Sequence, residues 1–144
     1  MRGKLSEYKH HINIKIRYDD LDTFGHVNNK AYLAYLEEAR IDFHKKIFCW
    51  KKTLEFNAVV AKIEINYLKP ILLNDKLSVY TKLNNVGNKS FELESIFCIK
   101  SNEKEEIIIV ANSRVVLVSV EPKTGKPTRI PDEEREKLLD FKCL

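Results

Sequence analysis

Arg17-Tyr-Asp-Asp-Leu-Asp22-Thr-Phe-Gly25-His26-Val-Asn28-Asn29-Lys-Ala-Tyr32-Leu-Ala-Tyr35-Leu-Glu37-Glu-Ala39-Arg40 is the stretch whose reading decides the fold. It runs from a polar loop through one glycine and a helix cap into a helix that is apolar on one side. Asp22 stands six residues ahead of Asn28, so a carboxylate precedes a helix N-terminus. Such an end offers free backbone N–H groups and a partial positive charge. Negative charge developing on a carbonyl oxygen could be held there. Gly25 permits a backbone turn that a side chain would obstruct, and Asn28 or Asn29 can cap the helix.

From Asn29 to about Phe48, the residues Tyr32, Leu36, Ala39, Phe43 and Ile47 recur at spacings of three and four, which predicts an amphipathic helix of about five turns. Leu33, Ile41 and Phe48 lie off that stripe, which implies cover on more than one side. Upstream, Ile12, Ile14 and Ile16 alternate with polar residues, predicting a half-buried strand over 11–18. Downstream, Cys49 to Asn57 reads as a connector. Val59, Ala61, Ile63, Ile65 and Tyr67 then form the apolar set of a second strand, ended by Pro70. Leu77 to Leu83 gives a third strand, Asn84 to Asn88 a hairpin turn, Phe91 to Ile99 a fourth strand and Ser101 to Glu105 a polar turn. Ile107 to Val120 is a β-branched run, so a fifth, largely buried strand. Pro131 to Leu139 forms a short helix. The order β, long α, then four β with short connections is α+β, with hairpin-linked antiparallel strands and the helix on one face of the sheet. Gly-rich phosphate loops and a βαβ alternation are both absent.

A chain of 144 residues predicts one domain over 1–144, with its core over about 10–120 and a tail over 121–144. It can bury roughly 68–70% of the surface its unfolded form exposes, so it needs no disulfide staples. The net charge is +4, and basic residues are interleaved with acidic ones, which argues against nucleic acid as a partner. Cys49, Cys98 and Cys143 are odd in number and lack metal-ligand spacing. They read as reduced thiols of a cytoplasmic protein, with no metal and no cofactor. The first ten residues contain no apolar run and no segment reaches a membrane span, so neither a leader nor an anchor is expected. His10, His11 and His44 read as surface residues.

The segment Arg17-Tyr18-x-Asp20-x-Asp22-x-x-Gly25-His26-Val27-Asn28-Asn29-x-x-Tyr32-x-x-Tyr35-x-Glu37-x-Ala39-Arg40 resembles the hotdog-fold acyl-CoA thioesterases of the 4-hydroxybenzoyl-CoA thioesterase family, most closely the acyl-CoA branch that carries GHVNN. The β-α-β-β-β-β order extends the resemblance over about residues 10–120. It implies an antiparallel five-stranded sheet wrapped around one long central helix. It also implies hydrolysis of an acyl-CoA thioester, with Asp22 as nucleophile or general base and the backbone N–H of Asn29 polarising the carbonyl. Gly25, His26, Val27 and Asn28 would line the substrate, and Lys89 and Ser90 would meet the phosphates of coenzyme A. The site would lie between subunits of a homodimer or homotetramer. Beside this stand plainer readings: Asp22 as a turn stabiliser, Asp19 and Asp20 as structural or solvated, His26 as a loop-ordering residue, and Glu37 and Arg40 as a surface ion pair. Two other functions fit the same motif. One is a non-catalytic acyl-CoA-binding regulator; the other is an acyl-carrier-protein thioesterase.

Overall fold

The computed structural model describes residues 5–48, 57–100 and 106–143, the side chains of 142 and 143 excepted. The connector after Phe48, with Cys49 and Trp50, and the polar turn at 101–105 lie outside the described residues, as does the side chain of Cys143. Strands β1 (His10–Ile14), β2 (Ala58–Tyr67), β3 (Lys76–Val86), β4 (Ser90–Lys100) and β5 (Ile107–Ser119) form one antiparallel sheet in the order β1-β3-β4-β5-β2. Helix α1 (Asn29–Phe48) follows β1, and helix α2 (Asp132–Cys143) closes the chain. This is the expected hotdog arrangement of a curved sheet around one long helix.

Helix α1 forms because nothing breaks it: no Gly or Pro occurs between Asn29 and Phe48, and Lys45 and Lys46 complement the dipole in its last turn. Its buried residues are Tyr32, Tyr35, Leu36, Ala39, Phe43, His44 and Phe48, with Ala31 at the start. Leu33 stays exposed, so cover comes from one broad side. That side meets alternate residues of β3, β4 and β5, such as Val79, Phe97 and Leu117, all essentially inaccessible to solvent. Helix α2 adds Leu138, and the segment before it adds Ile130, both fully buried. The C-terminal tail is thus part of the core rather than an appendage to it.

Strand β1 ends earlier than its alternation suggests. Arg17 to Asp20 turns into a short 3-10 segment, because the Asp20 carboxylate accepts the Arg17 N–H at 3.0 Å and pulls the chain round. Strand β3 runs on to Val86 through an irregularity at Leu83/Asn85, so the hairpin turn falls at 87–89 rather than beginning at Asn84.

Strand β2 departs most from expectation. Among the described residues it pairs with β5 alone, and Val59, Val60, Ile63 and Tyr67 are exposed along it. The register sets Val60, Ile63, Ile65 and Tyr67 opposite Leu117, Val115, Ser113 and Ala111, residues of β5 that face the core. Ile63, Ile65 and Tyr67 therefore face inward as the alternation predicted, but the irregularity between Val60 and Lys62 shifts the parity before them, so that Ala58 and Val60 take the inner face in place of Val59 and Ala61. Helix α1 packs chiefly on β1 and β3. Five strands spaced about 4.8 Å apart are wider than one helix of roughly 10–12 Å diameter, so the far edge is only partly covered, with Tyr32 of α1 against Tyr67 at 4.8 Å between ring centroids and Val60 and Ile63 left exposed.

Candidate active site

The loop from Asp20 to Asn28 is held by its own backbone before any substrate arrives. Leu21 and Val27 pair across it as an isolated bridge, and His26 pairs with Leu72 of the β2–β3 connection. The Asp22 N–H donates to the His26 carbonyl at 2.8 Å, and the Gly25 N–H to the Asp22 carbonyl at 3.2 Å. Gly25 takes φ of +81°, a left-handed value that other residues adopt at a cost, and a Cβ there would meet nothing within 4 Å. Its glycine is required by backbone conformation, not by crowding. The buried Val27 donates its N–H to the Ile71 carbonyl at 2.8 Å, fastening the loop to the sheet end.

Within this frame Asp22 is half-buried, and its Oδ1 accepts the N–H groups of Phe24 at 2.9 Å and His26 at 3.1 Å. Its Oδ2 has no hydrogen-bond partner among the described residues. One carboxylate oxygen thus orients the group while the other is available. Asn28 is the helix cap: its side-chain Oδ1 accepts the Lys30 N–H at 3.0 Å and its carbonyl the Ala31 N–H at 2.9 Å. Asn29 is the first residue of α1, and its N–H has no acceptor among the described residues. A free donor at the positive end of a 20-residue helix therefore belongs to the same loop as a carboxylate with a spare oxygen. His26 is exposed and orders the loop through its main chain.

The other aspartate of the Asp-x-Asp pair has the opposite surroundings. Asp20 is 7% exposed. Its Oδ2 accepts the Arg17 N–H at 3.0 Å and the Tyr35 hydroxyl at 2.7 Å, and its Oδ1 the Arg17 guanidinium at 3.2 Å. Burial works against its charge, but those three hydrogen bonds and the guanidinium charge outweigh it and hold the carboxyl below the usual range. The spacing of the motif did not disclose this contact, because Tyr35 reaches Asp20 only once the loop has folded back along the helix.

Lys89 and Ser90 are not beside Asp22 in the single chain. They sit at the turn between β3 and β4, whereas the Asp22 loop is bonded to Ile71 and Leu72, just before β3 begins. Eleven residues of β3 separate the two ends, roughly 35 Å of extended strand. Glu37 and Arg40 do not come within salt-bridge distance, although the Glu37 charge offsets part of the burial of Arg40, which is half-buried. His10 and His44 are core residues, contrary to the surface reading, whereas His11 is exposed as expected. The signal was present: His10 shares the parity of Ile12 and Ile14, and His44 lies eight residues from Leu36 and four from Phe48.

The sequence model of the thioesterase-like superfamily matches residues 16–138. The chain is 35% identical over 127 residues to the long-chain acyl-CoA thioesterase FadM of Escherichia coli (strain K12), covering 87% of this chain and 93% of that one. It is 27% identical over 137 residues to the chloroplastic acyl-acyl carrier protein thioesterase ATL2 of Arabidopsis thaliana, covering 93% of this chain and 70% of the relative. Among solved structures, a thioesterase from Thermus thermophilus complexed with coenzyme A and Zn is similar at a TM-score of 0.80 and 32% identity, over 93% of this chain and 94% of that one.

Proposed function

The chain belongs to the thioesterase-like superfamily and is a thioester hydrolase; from that premise we propose that it cleaves acyl-coenzyme A to the free acid and coenzyme A, with Asp22 and the Asn29 N–H as its catalytic groups. The observation that carries the assignment is the division of labour at Asp22. Oδ1 is tied to the Phe24 and His26 N–H groups, and Oδ2 is left open. In the general-base route, Oδ2 takes a proton from water as the water oxygen bonds to the thioester carbon. The carbonyl oxygen becomes an oxyanion and accepts the Asn29 N–H. Collapse of that intermediate breaks the C–S bond, and the departing thiolate takes the proton. In the nucleophilic route, Oδ2 itself bonds to the carbon and the thiolate leaves. Water then hydrolyses the mixed anhydride. Both routes need the same two groups in the same places, and Gly25, His26, Val27 and Asn28 supply the backbone that holds them.

The same reading requires a second copy of the chain. Antiparallel pairing of two β2 edges lays the Tyr67 end of one copy beside the Ala58 end of the other. In each copy Ala58 pairs with Ser119, whose N–H donates to the Lys89 carbonyl at 2.8 Å. A homodimer built in this way brings Lys89 and Ser90 of the second copy toward Asp22 of the first, where they can meet coenzyme A phosphates. Two such dimers can associate into a tetramer. Operation in the reducing cytoplasm agrees with Cys98, a buried thiol whose pKa burial pushes up to about 11, out of the reactive range.

Thiol release from acetyl-, palmitoyl- and benzoyl-coenzyme A, measured for the wild type and for Asp22→Asn, tests the proposal. The expected result is turnover that falls by about 10²–10⁴-fold in the variant, with KM little changed and Asp19→Asn close to wild type. The backbone donor, worth about 2.7–4 kcal/mol, accounts for the residual rate. A folded Asp22→Asn with wild-type turnover refutes the role of Asp22. Tight acyl-CoA binding without turnover in the wild type selects a regulator instead. The likeness to ATL2 favours one second reading, in which acyl-acyl carrier protein is the substrate; that arm is a parallel assay with the acylated carrier.

A further inference from the structure

We propose that Asp20 and Tyr35 are a positioning pair that sets the Asp22 loop against the start of α1. The inference rests on Asp22 and the Asn29 N–H being the reacting groups. Asp20 touches neither substrate nor solvent freely, since both of its oxygens are occupied: Oδ1 by the Arg17 guanidinium, Oδ2 by the Arg17 N–H and the Tyr35 hydroxyl. A sealed carboxylate does not relay protons. What it does is join three pieces of chain. Arg17 belongs to the segment leaving β1, Tyr35 to the second turn of α1, and Asp20 itself to the loop two residues ahead of Asp22.

The main chain of Asp20 makes a fourth connection. Its carbonyl accepts the N–H of Asn28, the helix cap, at 2.7 Å. One residue therefore grips the helix twice, at the cap through its backbone and further along through Tyr35. These two attachments fix the loop entrance in translation and in rotation about the helix axis. The bonds that Asp22 accepts from the Phe24 and His26 N–H groups are internal to the loop, and those joining Val27 to Ile71 and His26 to Leu72 tie it to the β2–β3 connection rather than to α1. The surroundings underline the point. Tyr35 belongs to the buried core with Ile16, Val27 and Ala31, and Asp20, itself buried, is bonded to it. An aliphatic pair would suffice there for packing alone, without desolvating a carboxylate. A directional bond is what this position supplies.

Tyr35→Phe is the test, because it keeps the ring and removes only the hydroxyl. Displacement of reacting groups by about 1 Å from a remote change can cost on the order of 10²-fold. On the fastest substrate of the thiol-release screen, kcat should therefore fall about 10- to 100-fold with KM within about threefold of wild type. Amide hydrogen exchange is the second readout and does not depend on turnover. The Phe24, His26 and Asn28 N–H groups should exchange faster in the variant, while amides of β4 and β5 keep their protection. Asp20→Asn, which turns amide donors toward Arg17, should give the same pattern and serves if Tyr35→Phe folds poorly. Unchanged kcat with unchanged loop exchange overturns the proposal. So does a uniform loss of protection across the sheet with kcat per folded molecule preserved, which would mark a structural role only. Absence of turnover in the wild type would refute the hydrolase reading, and the exchange measurement would still decide the positioning pair.

Discussion

Asp20 and Asp22 differ by two positions and by everything that surrounds them, and the two buried histidines show the same dependence on setting. His10 Nε2 lies 2.7 Å from the Asp42 carboxylate, which can only accept, so the neutral ring carries its proton on Nε2. Its Nδ1 is buried without a partner. Burial lowers the pKa of His10 below the usual 6.5, and the charges of Lys46 and His11 add to this, although Asp42 opposes it. His44 lies among the rings of Phe43, Phe48 and Phe91, and burial, with the Arg40 charge adding, pushes its pKa down to about 3. Both are neutral in the folded protein. Above pH 6.5 they are neutral in the unfolded chain too, and their contribution is complete. As pH falls below 6.5 the unfolded state binds protons that the native state refuses, and for His44 the loss continues toward pH 3. Stability in urea should therefore decline between pH 6.5 and 4.5, by up to about 1.4 kcal/mol per pH unit for His44, with His10 adding to the loss just below pH 6.5. His44→Gln should flatten that slope. A profile unchanged by His44→Gln would show that His44 does not contribute.

Strand β2 is the element whose surroundings are incomplete in one chain. It carries an unpaired hydrogen-bonding edge together with exposed Val60, Ile63 and Tyr67 on its inner face. Edges of this kind invite strand addition unless they are blocked by charge, proline or a bulge. Here the pairing with β5 slips between Val60 and Lys62, and the edge is otherwise regular. Placing an unpartnered polar group within the resulting contact costs about 1–3 kcal/mol per site, and a charged carboxylate more. Ile63→Glu should thus weaken dimerisation about 10- to 100-fold, read by sedimentation across a concentration series. Activity should fall in step with the dimer fraction and recover at high protein concentration. Full activity in a demonstrated monomer would sink the shared-site model.

The molecule as a whole is held by one main core that three separate elements must reach, beside a smaller cluster of Tyr8, Ile96 and Cys98. Phe43 is completely buried in α1 and meets His10 of β1 at 5.6 Å and Phe141 of α2 at 5.0 Å between ring centroids. Phe43→Ala should cost about 3–5 kcal/mol, measured by urea unfolding at fixed protein concentration. A loss under 1 kcal/mol would mean the three elements are not coupled there. Helix α2 also clamps the β3–β4 turn, because the Arg135 guanidinium donates to the carbonyls of Gly87 at 2.7 Å and Asn88 at 2.9 Å. The C-terminal tail therefore holds the turn that presents Lys89.

Element identity was legible in the sequence because it is set by local period. Alternation over Ile12 to Ile16 and Phe91 to Ile99, and three-four spacing from Tyr32 to Ile47, each require one geometry to gather their apolar residues on one side. The motif around Asp22 was legible for a related reason: a loop, a glycine and a cap in fixed order build a turn and a helix start from neighbouring residues alone. What lay beyond the sequence depended on residues distant along the chain. Asn28 rather than Asn29 became the cap once the Asn28 N–H met the Asp20 carbonyl. Asp20 was sealed by Tyr35, fifteen residues on. His10 and His44 were buried because β1, α1 and α2 converge on Phe43. Period assigned Ile63, Ile65 and Tyr67 to the inner face of β2, but only the tertiary structure left that face partly covered, because one helix is narrower than five strands.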